Sequence, residues 1–386
     1  MSSYIKTLTA CLLALLLGFS NLPVQAEGTI GLAREEAGES YAEYPLLSGF
    51  DNTFVQDSVN ARIQLLVQPH LNTLAILSAG GPGSLRLDSI YSVFPSMDGH
   101  DILSLLLTAE GRMPSGHLGH QYTPLMLDLA NGQPVDISAL WLDPAAAQAG
   151  LEEITRNEFE DTLSNYLNID DLFPLPMDRV LITETGIGFF YPENSLTWLS
   201  GRSASIHYLY HELEELLALG EGALLNGMGI QSKLSIGANS AADIQQAAKE
   251  GALPGIDVQI GSSVEEAIEA FKLLYDPNGF PGGESYQLED DRFRGTRLIS
   301  SGDGSITGIL SQRMNLSGLI TGRTKREETL SMLGEPFTSI PLDEAAAALY
   351  GFEPGSMDSY PFGANELRLQ YNAGEVLSAI WLIKAE

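Results

Sequence analysis

A short phrase occurs twice in the last third of this chain. It reads Gly255-Ile256-Asp257-Val258-Gln259-Ile260-Gly261-Ser262-Ser263-Val264-Glu265-Glu266-Ala267-Ile268 and returns as Leu319-Ile320-Thr321-Gly322-Arg323-Thr324-Lys325-Arg326-Glu327-Glu328-Thr329-Leu330. Each copy predicts a short apolar strand, a glycine, a Ser/Thr helix cap, a Glu pair in the first turn and apolar residues at helical spacing. A capping oxygen and early carboxylates suit a helix start, where the first N–H groups lack partners and the dipole favours negative charge. Recurrence of such a unit predicts a duplicated fold element, with copy one over 254–313 and copy two over 314–386. Each copy also carries a hairpin: Arg297–Ile299 with Ser305–Ile309, and Leu367–Tyr371 with Val376–Leu382. In the second hairpin Leu367, Leu369 and Tyr371 face Val376, Ser378, Ile380 and Leu382 at period two. A helix across each hairpin would bury Ala267, Ile268 and Phe271, or Leu330 and Leu333, in two layers.

The other end of the chain predicts export. Lys6 supplies a charged start, Leu8 to Phe19 an apolar run, and Val24-Gln25-Ala26 a small-residue cleavage site. The apolar run is shorter than the roughly 20 residues that cross a bilayer. Residues 1–26 are therefore expected to be a signal peptide cut after Ala26, leaving an extracellular or envelope-associated protein. Cys11 is the chain's one cysteine and lies inside that leader. The mature chain would hold no disulfide, thiolate metal site or cysteine nucleophile.

Between these ends the pattern is mixed. A polar lead-in is expected over 27–40. Phe54, Val55, Val59 and Ile63 fall on one helical face, and strands are expected at Thr73–Ser78, Ser89–Phe94, Asp101–Glu110 and Gln121–Leu129. A helix follows over Ala145–Leu167, then strands at Val180–Thr183, Gly186–Tyr191 and Ser203–Tyr208, and a short helix at Tyr210–Leu219. The Gly- and Ala-rich stretch 219–253 reads as a linker with one helix at Ala241–Lys249. The expected class is α+β, with a mixed α/β domain over 41–218 and the helix-plus-sheet repeat over 254–386.

Two family resemblances attach to these residues. Tyr44-Pro45 with Ser48-Gly49, Val59-Asn60, the Tyr122–Asp128 strand, Asn131-Gly132-Gln133, Gly186-Ile187-Gly188-Phe189-Phe190-Tyr191-Pro192 and Ile206-His207-Tyr208 with Glu212-Leu213 run in an order that resembles the RsiV-type extracytoplasmic domain of unknown function. That resemblance implies sensing of an extracellular protein, lysozyme in RsiV itself, by binding it. The chain lacks the transmembrane and cytoplasmic sigma-binding segments of RsiV, so signalling through a sigma factor is not implied. The repeat, with Leu333-Gly334-Glu335-Pro336 closing the second helix, resembles the β-lactamase-inhibitor-like and SmpA/OmlA-like folds. Those folds imply protein binding or an envelope scaffold. Copy one replaces the closing motif with Phe271-Lys272-Leu273-Leu274, and the divergent stretch Leu273–Gly283 is the expected binding surface.

No catalytic constellation stands out. His207 and His211 are four apart with Glu212 beside them, and His117 and His120 lie in a Gly-rich stretch. Together they are the one candidate metal set, for a metal-dependent hydrolase of cell-wall glycan. The zincin pattern is missing, because His211-Glu212-Leu213-Glu214-Glu215 has no second histidine. The blander reading keeps these histidines structural and assigns no metal, cofactor or catalytic residue. Acid pairs such as Asp170-Asp171, Glu214-Glu215 and Asp290-Asp291 are expected by chance in a chain with 50 Asp+Glu. Gly80-Gly81-Pro82-Gly83 lacks the Lys-Ser/Thr of a phosphate loop, and Gly-x-Ser-x-Gly does not occur.

Against those acids stand 20 Lys+Arg, a net charge of −30. Such a field opposes nucleic acid and anionic membranes and favours solubility or a cationic partner. The expected function is a non-catalytic binding or sensing protein of the bacterial cell envelope, engaging a cationic protein such as lysozyme or a cell-wall polymer. The alternatives are the metal-dependent hydrolase and a purely structural envelope protein.

Overall fold

The computed structural model describes residues 28–113, 116–163, 169–193, 195–196, 204–271, 273–281, 283–288 and 291–385. The expected leader with Cys11, and also Trp198, lie outside the described residues. Among the described residues no helix is long and apolar enough to cross a membrane.

Strands β1 (Thr29–Ala37) and β2 (Ser40–Ser48) form an antiparallel hairpin. The expected lead-in is thus a strand from Thr29 onward. Gly38, at φ +66°, supplies the left-handed turn that returns the chain on itself. The charges of Arg34, Glu35 and Glu36 are compatible with a sheet edge, where charged residues discourage further pairing.

Helix α1 (Thr53–Ser78) then carries the chain to β3 (Ser84–Phe94), which lies parallel to β2. A parallel pair needs such a crossover. Asn52 Oδ1 caps the helix by accepting from the Val55 N–H at 3.2 Å. Val55, Val59, Ile63, Val67 and Leu74 form its buried stripe, whereas Phe54 is 72% exposed. The strand expected at Thr73–Ser78 is the end of this helix. A six-residue apolar run fits either state by pattern, and Leu74 continues the stripe begun at Val55.

Strands β4 (Ile102–Met113), β5 (Gly116–Asp128) and β6 (Gln133–Pro134) complete a six-stranded sheet in chain order. Leu85, Leu87, Leu103, Leu105 and Leu107 pack in the cluster that α1 covers. Ile102, Leu106 and Met126 instead join a second cluster. That cluster is shared with helix α2 (Pro144–Leu163) and a three-stranded sheet of β7 (Val180–Ile182), β8 (Gly186–Phe190) and β9 (Ser205–Leu209). Inside it Trp141 stacks on Phe189 at 6.1 Å.

The helix expected over Tyr210–Leu219 shrinks to one 3-10 turn, Tyr210–Glu212. The backbone beyond it pairs sideways instead: Trp141 bridges Leu217, and the Ala218 N–H donates to Leu140 O at 2.9 Å. The stretch expected to be a linker is packed at both ends. It folds as α3 (Leu224–Gly227), α4 (Ile230–Lys233) and α5 (Ser240–Glu250). Leu225, Ile230 and Leu234 fill the cluster before it, and Ile244 and Ala248 the cluster after it. Its contact with the later chain is tight at Gly318, where a Cβ would lie 2.5 Å from Ser235 O.

The remaining chain is organised on one antiparallel sheet. A hairpin of β10 (Ala252–Leu253) and β11 (Ile256–Gln259) leads to α6 (Val264–Phe271), β12 (Leu273–Phe280), β13 (Gly283–Leu288), β14 (Thr296–Ser300) and β15 (Ile306–Ser311). A second hairpin, β16 (Asn315–Leu316) and β17 (Leu319–Ile320), leads to α7 (Arg326–Leu333) and β18 (Thr338–Leu342). Helix α8 (Glu344–Tyr350), β19 (Gly355–Phe362), β20 (Asn365–Asn372) and β21 (Leu377–Lys384) end the chain. The eight-stranded order is β12-β13-β14-β15-β21-β20-β19-β18. The class is α+β.

The expected alternation holds in part. Leu367 faces Leu382 and Leu369 faces Ile380, but a bulge between Gln370 and Tyr371 sets Leu377, not Val376 or Ser378, opposite Tyr371. An extra residue in one strand shifts every later side chain. Ile268, expected on the buried face of α6, is 42% exposed, while Ala267 is buried. At the outer edge, β12 exposes Leu274 and Tyr275.

The two helix starts are stabilised differently. Ser263 Oγ accepts from the Glu265 N–H at 3.1 Å, as a cap should. Thr324 instead accepts from the Ile320 N–H at 2.8 Å, tying the helix to β17, while Glu328 reaches back to the Lys325 N–H at 2.8 Å. Arg326 is clamped to the fully buried Asp358 of β19 through Nε–Oδ2 at 2.8 Å and Nη2–Oδ1 at 3.0 Å. Removing one member of such a pair strands the other charge. Asp358→Ala is therefore expected to cost about 3 kcal/mol in urea denaturation, roughly what losing one partner of a buried pair costs. An unchanged midpoint would show that the clamp carries no stability.

Candidate functional site at the junction of the two sheets

Charged side chains drawn from distant segments meet where β9 approaches the C-terminal part. His207 on β9 is 1% exposed. Its backbone N–H donates to Asp291 Oδ2 at 2.5 Å. Its carbonyl accepts from Arg313 Nη2 at 2.7 Å and from Arg294 Nη2 at 3.2 Å. Asp291 and Arg294 come from the short turn after β13, Arg313 from the loop between β15 and β16.

Arg313 is held as a fork. Its Nε lies 2.6 Å from Glu212 Oε1 and its Nη2 2.5 Å from Glu212 Oε2. Glu212 also accepts from the Leu209 N–H at 2.7 Å, so the 3-10 turn presents the carboxylate from a fixed backbone. Glu158 on α2 lies 3.0 Å from Arg294 and 3.5 Å from Arg313. The Arg294 guanidinium sits 4.3 Å over the Phe159 ring. Two parallel N–H···O contacts to a carboxylate are among the stronger side-chain interactions and fix orientation as well as distance.

Burial sets the proton affinities here. It raises the Glu158 carboxyl above its ordinary range, against the pull of Arg294 and Arg313. It drives the His207 imidazole well below its ordinary range, and Arg313, Arg292 and Arg294 push the same way. His207 is therefore neutral at pH 7. His211 is also lowered, mainly by burial.

His207 Nε2 lies 2.9 Å from Thr183 Oγ1, the spacing of a base and a nucleophile. The Thr183 hydroxyl, however, also lies 3.1 Å from both the carbonyl and the N–H of Gly186. It closes the β7–β8 turn. A substrate would have to reach an imidazole that is almost wholly enclosed, so the pair reads as a structural joint.

The sequence-predicted histidines sit on different elements. His207 is on β9 and His211 in the 3-10 turn that follows it. His120 lies on β5, with Nε2 3.2 Å from Glu110 Oε1 and its ring edge-on to Tyr122 at 4.3 Å. The backbone of His117 pairs with Arg112 across the same hairpin, and its side chain lies outside the described residues. Among the described residues no group of three or more His, Cys, Asp or Glu could hold a metal ion. Of the acid pairs, Glu214 meets Arg323, Asp170 meets Arg156 at 2.7 Å, and Asp291 enters the junction. Arg294, Arg313, Glu158 and Asp291 escaped sequence reasoning as a group. The usable signal was scarcity: in a chain with few cations, Arg292, Arg294 and Arg313 bracket a single hairpin. Beside them lies a small cleft of about 20 Å³ lined by Thr185, Gly255, Arg292, Thr296, Arg313 and Asn315 among others.

The depressed His207 has a consequence for pH. Unfolding returns the imidazole to its ordinary range near 6.5, so in acid the unfolded chain binds a proton that the folded chain refuses. The stability from this group is complete above that range and is lost as pH falls below it. His207→Asn, which keeps a neutral donor and acceptor, is expected to shrink the fall in Tm between about pH 7.5 and about pH 5. An identical fall in both proteins would count against the neutral, enclosed imidazole. His211 leaves a residual slope.

No family model matches the sequence, and no curated protein matches it. Solved structures similar to the chain include a DUF3298-family protein from Bacteroides fragilis at 12% identity, with TM-score 0.34, covering 53% of this chain and 97% of that one. A DUF3298-family protein from Pseudomonas aeruginosa is 10% identical, with TM-score 0.35, and the match covers 50% of this chain and 95% of that one. A DUF4309-family protein from Bacillus subtilis is 16% identical, with TM-score 0.30, covering 38% of this chain and 97% of that one. These structural neighbours of the chain are thus bacterial proteins of families whose function is unknown, and at these scores the likeness transfers no residue role.

Proposed function

We propose that this chain is an exported, non-catalytic binding or sensing protein of the bacterial cell envelope whose ligand is a cationic protein, lysozyme being the first to test. The disposition of charge supports this reading. Cations are scarce, and many are turned inward or matched. Arg313 binds Glu212, Arg326 binds Asp358, Arg297 binds Asp276, Arg156 binds Glu152 and Asp170, and Arg368 binds Glu366. Arg179 donates to the carbonyls of Phe190 and Tyr122, and Arg62 to that of Gly132. With 50 Asp+Glu against 20 Lys+Arg, 30 acids have no cation to balance them. A surface of one sign steers an oppositely charged partner and repels nucleic acid.

The C-terminal part is read as a tandem repeat of the β-lactamase-inhibitor-like kind, and the preceding part as an RsiV-like domain. Supporting the tandem reading, the Gly261 N–H donates to Ile306 O and the Gly322 N–H to Leu377 O, each at 2.7 Å. Each glycine follows a two-stranded hairpin and precedes a helix, and each half contributes four strands to the sheet, meeting at β15 and β21.

Calorimetric titration of the chain with lysozyme tests the proposal. A saturable complex is expected at low ionic strength, weakening about tenfold or more towards physiological salt as screening shortens to about 8 Å. Lysozyme with its lysines acetylated should bind far less. No heat of binding at low ionic strength would overturn the choice of partner.

A further inference from the structure

Between the start of α5 and one face of α7 lies an open groove of about 270 Å³, lined by Ile236, Ala238, Ala241, Glu328, Ser331 and Met332 among others. Glu328, Ser331 and Met332 are spaced i, i+3 and i+4, so a single helical face carries all three. Four residues of helix advance the chain by about 6 Å, which sets the carboxylate and the thioether at different points along the groove. Ile236 and Met332 rest against the core beneath, while Ala238, Glu328 and Ser331 are exposed. The groove is therefore mainly apolar, with its one charge from Glu328 among the described residues. That carboxylate is held in place, because its Oε2 accepts from the Lys325 N–H at 2.8 Å. Its Oε1 has no hydrogen-bond or ion-pair partner among the described residues: Lys325 supplies a backbone N–H and not its ammonium. Ser331 Oγ donates to the Glu327 carbonyl at 2.8 Å, which leaves the hydroxyl oxygen able to accept.

We propose that this groove seats a lysine side chain of a basic partner protein, with the ammonium on Glu328. The inference rests on the reading of the ligand as a cationic protein and locates one of its contacts. Lysine joins an apolar four-carbon stem to a compact charge, and such stems lie along apolar surface while the head stays polar. Here the stem would cover Ile236, Ala238 and Met332, and the ammonium would meet Glu328 Oε1 and Ser331 Oγ. The negative field of the whole chain, at −30, draws the same charge towards the groove. Geometry favours lysine over arginine. A guanidinium fork takes both oxygens of a carboxylate, and one oxygen of Glu328 is already committed to the start of α7. An ammonium is a point charge and needs only the other. The contact thus falls on α5 and copy two, on different elements from the divergent Leu273–Gly283 stretch of copy one.

Methyl NMR of the full chain, labelled at methionine and held at low, constant ionic strength, tests the groove through the Met332 signal. The probes are the Nα-acetyl amides of lysine, arginine and norleucine, the last keeping the stem without the charge. A saturable shift is expected with the lysine probe, at least fivefold weaker affinity with arginine, and no saturation with norleucine. Glu328→Gln keeps an acceptor for the Lys325 N–H but loses the charge, and should weaken the lysine probe at least fivefold. Ala238→Phe, at an exposed position, fills the groove and should abolish the shift. No saturation with lysine, equal response to norleucine or arginine, or unchanged affinity in folded Glu328→Gln would each overturn the proposal. Titration of lysozyme into both the unaltered chain and Ala238→Phe separates this inference from the reading it rests on. Lysozyme bound equally by both proteins would overturn the groove as its contact and leave the cationic partner standing. Saturation by the lysine probe without any lysozyme binding would support the groove and reject lysozyme.

Discussion

The burial of Arg313 ties the two parts of this molecule together. A guanidinium cannot lose its proton at any pH met by a folded protein, so once enclosed it must be given acceptors. They come from Glu212, from the His207 carbonyl and, at longer range, from Glu158. Helix α2, strand β9, the 3-10 turn and the loop after β15 are therefore fixed relative to one another by one side chain. Such a network gives little net stability, since its Coulomb gain is offset by desolvation of every member. What it provides is a penalty against wrong arrangements, because any displacement leaves a charge enclosed without a partner. The arrangement also accounts for the neutral His207: burial disfavours its charged ring, and Arg313, Arg292 and Arg294 push the same way.

Features set by local periodicity were legible in the sequence, and features set by distant pairing were not. The β14–β15 and β20–β21 hairpins lie where alternation and turn residues put them. Helix α5 matches the short helix expected within the linker, but the packing of that whole stretch was invisible. Small residues such as Ala248 read as flexible by composition, yet in place they allow close approach of a helix to a core. Strand β1 was missed because edge strands tolerate charge, which masks alternation. The junction was the least legible part. Its contacts span 84, 101 and 106 residues of sequence, and no period or motif connects positions so far apart.

Charge scarcity deserves to be read as a signal in its own right. In a chain with balanced charge, an arginine next to a glutamate is unremarkable and exposed pairs of this sort are worth little. Here each cation is set among an excess of acids, and two of them, the buried Arg313 and the half-buried Arg326, each take a bidentate carboxylate. One clamp fixes the junction and the other fixes α7 to the sheet. Positions of isolated arginines thus mark where long-range order is imposed, although the sequence does not say which acid each will choose.

The recurring phrase that dominates the C-terminal sequence also changes meaning once its contacts are known. Its Glu pairs suggested a common helix-start device, but the two starts use different side chains: Ser263 in one, Glu328 in the other, with Thr324 turned towards β17. What the two share is backbone. Gly261 and Gly322 are both at positive φ, and each donates its N–H to the carbonyl of the first residue of a hairpin's return strand, Ile306 of β15 and Leu377 of β21. The turns opposite them, at Gly304 and Glu375, also share the left-handed conformation, one with a glycine and one at the cost of a side chain there. The constraint carried through both occurrences is therefore the glycine-to-strand contact that seats each helix, and the capping chemistry is free to differ around it.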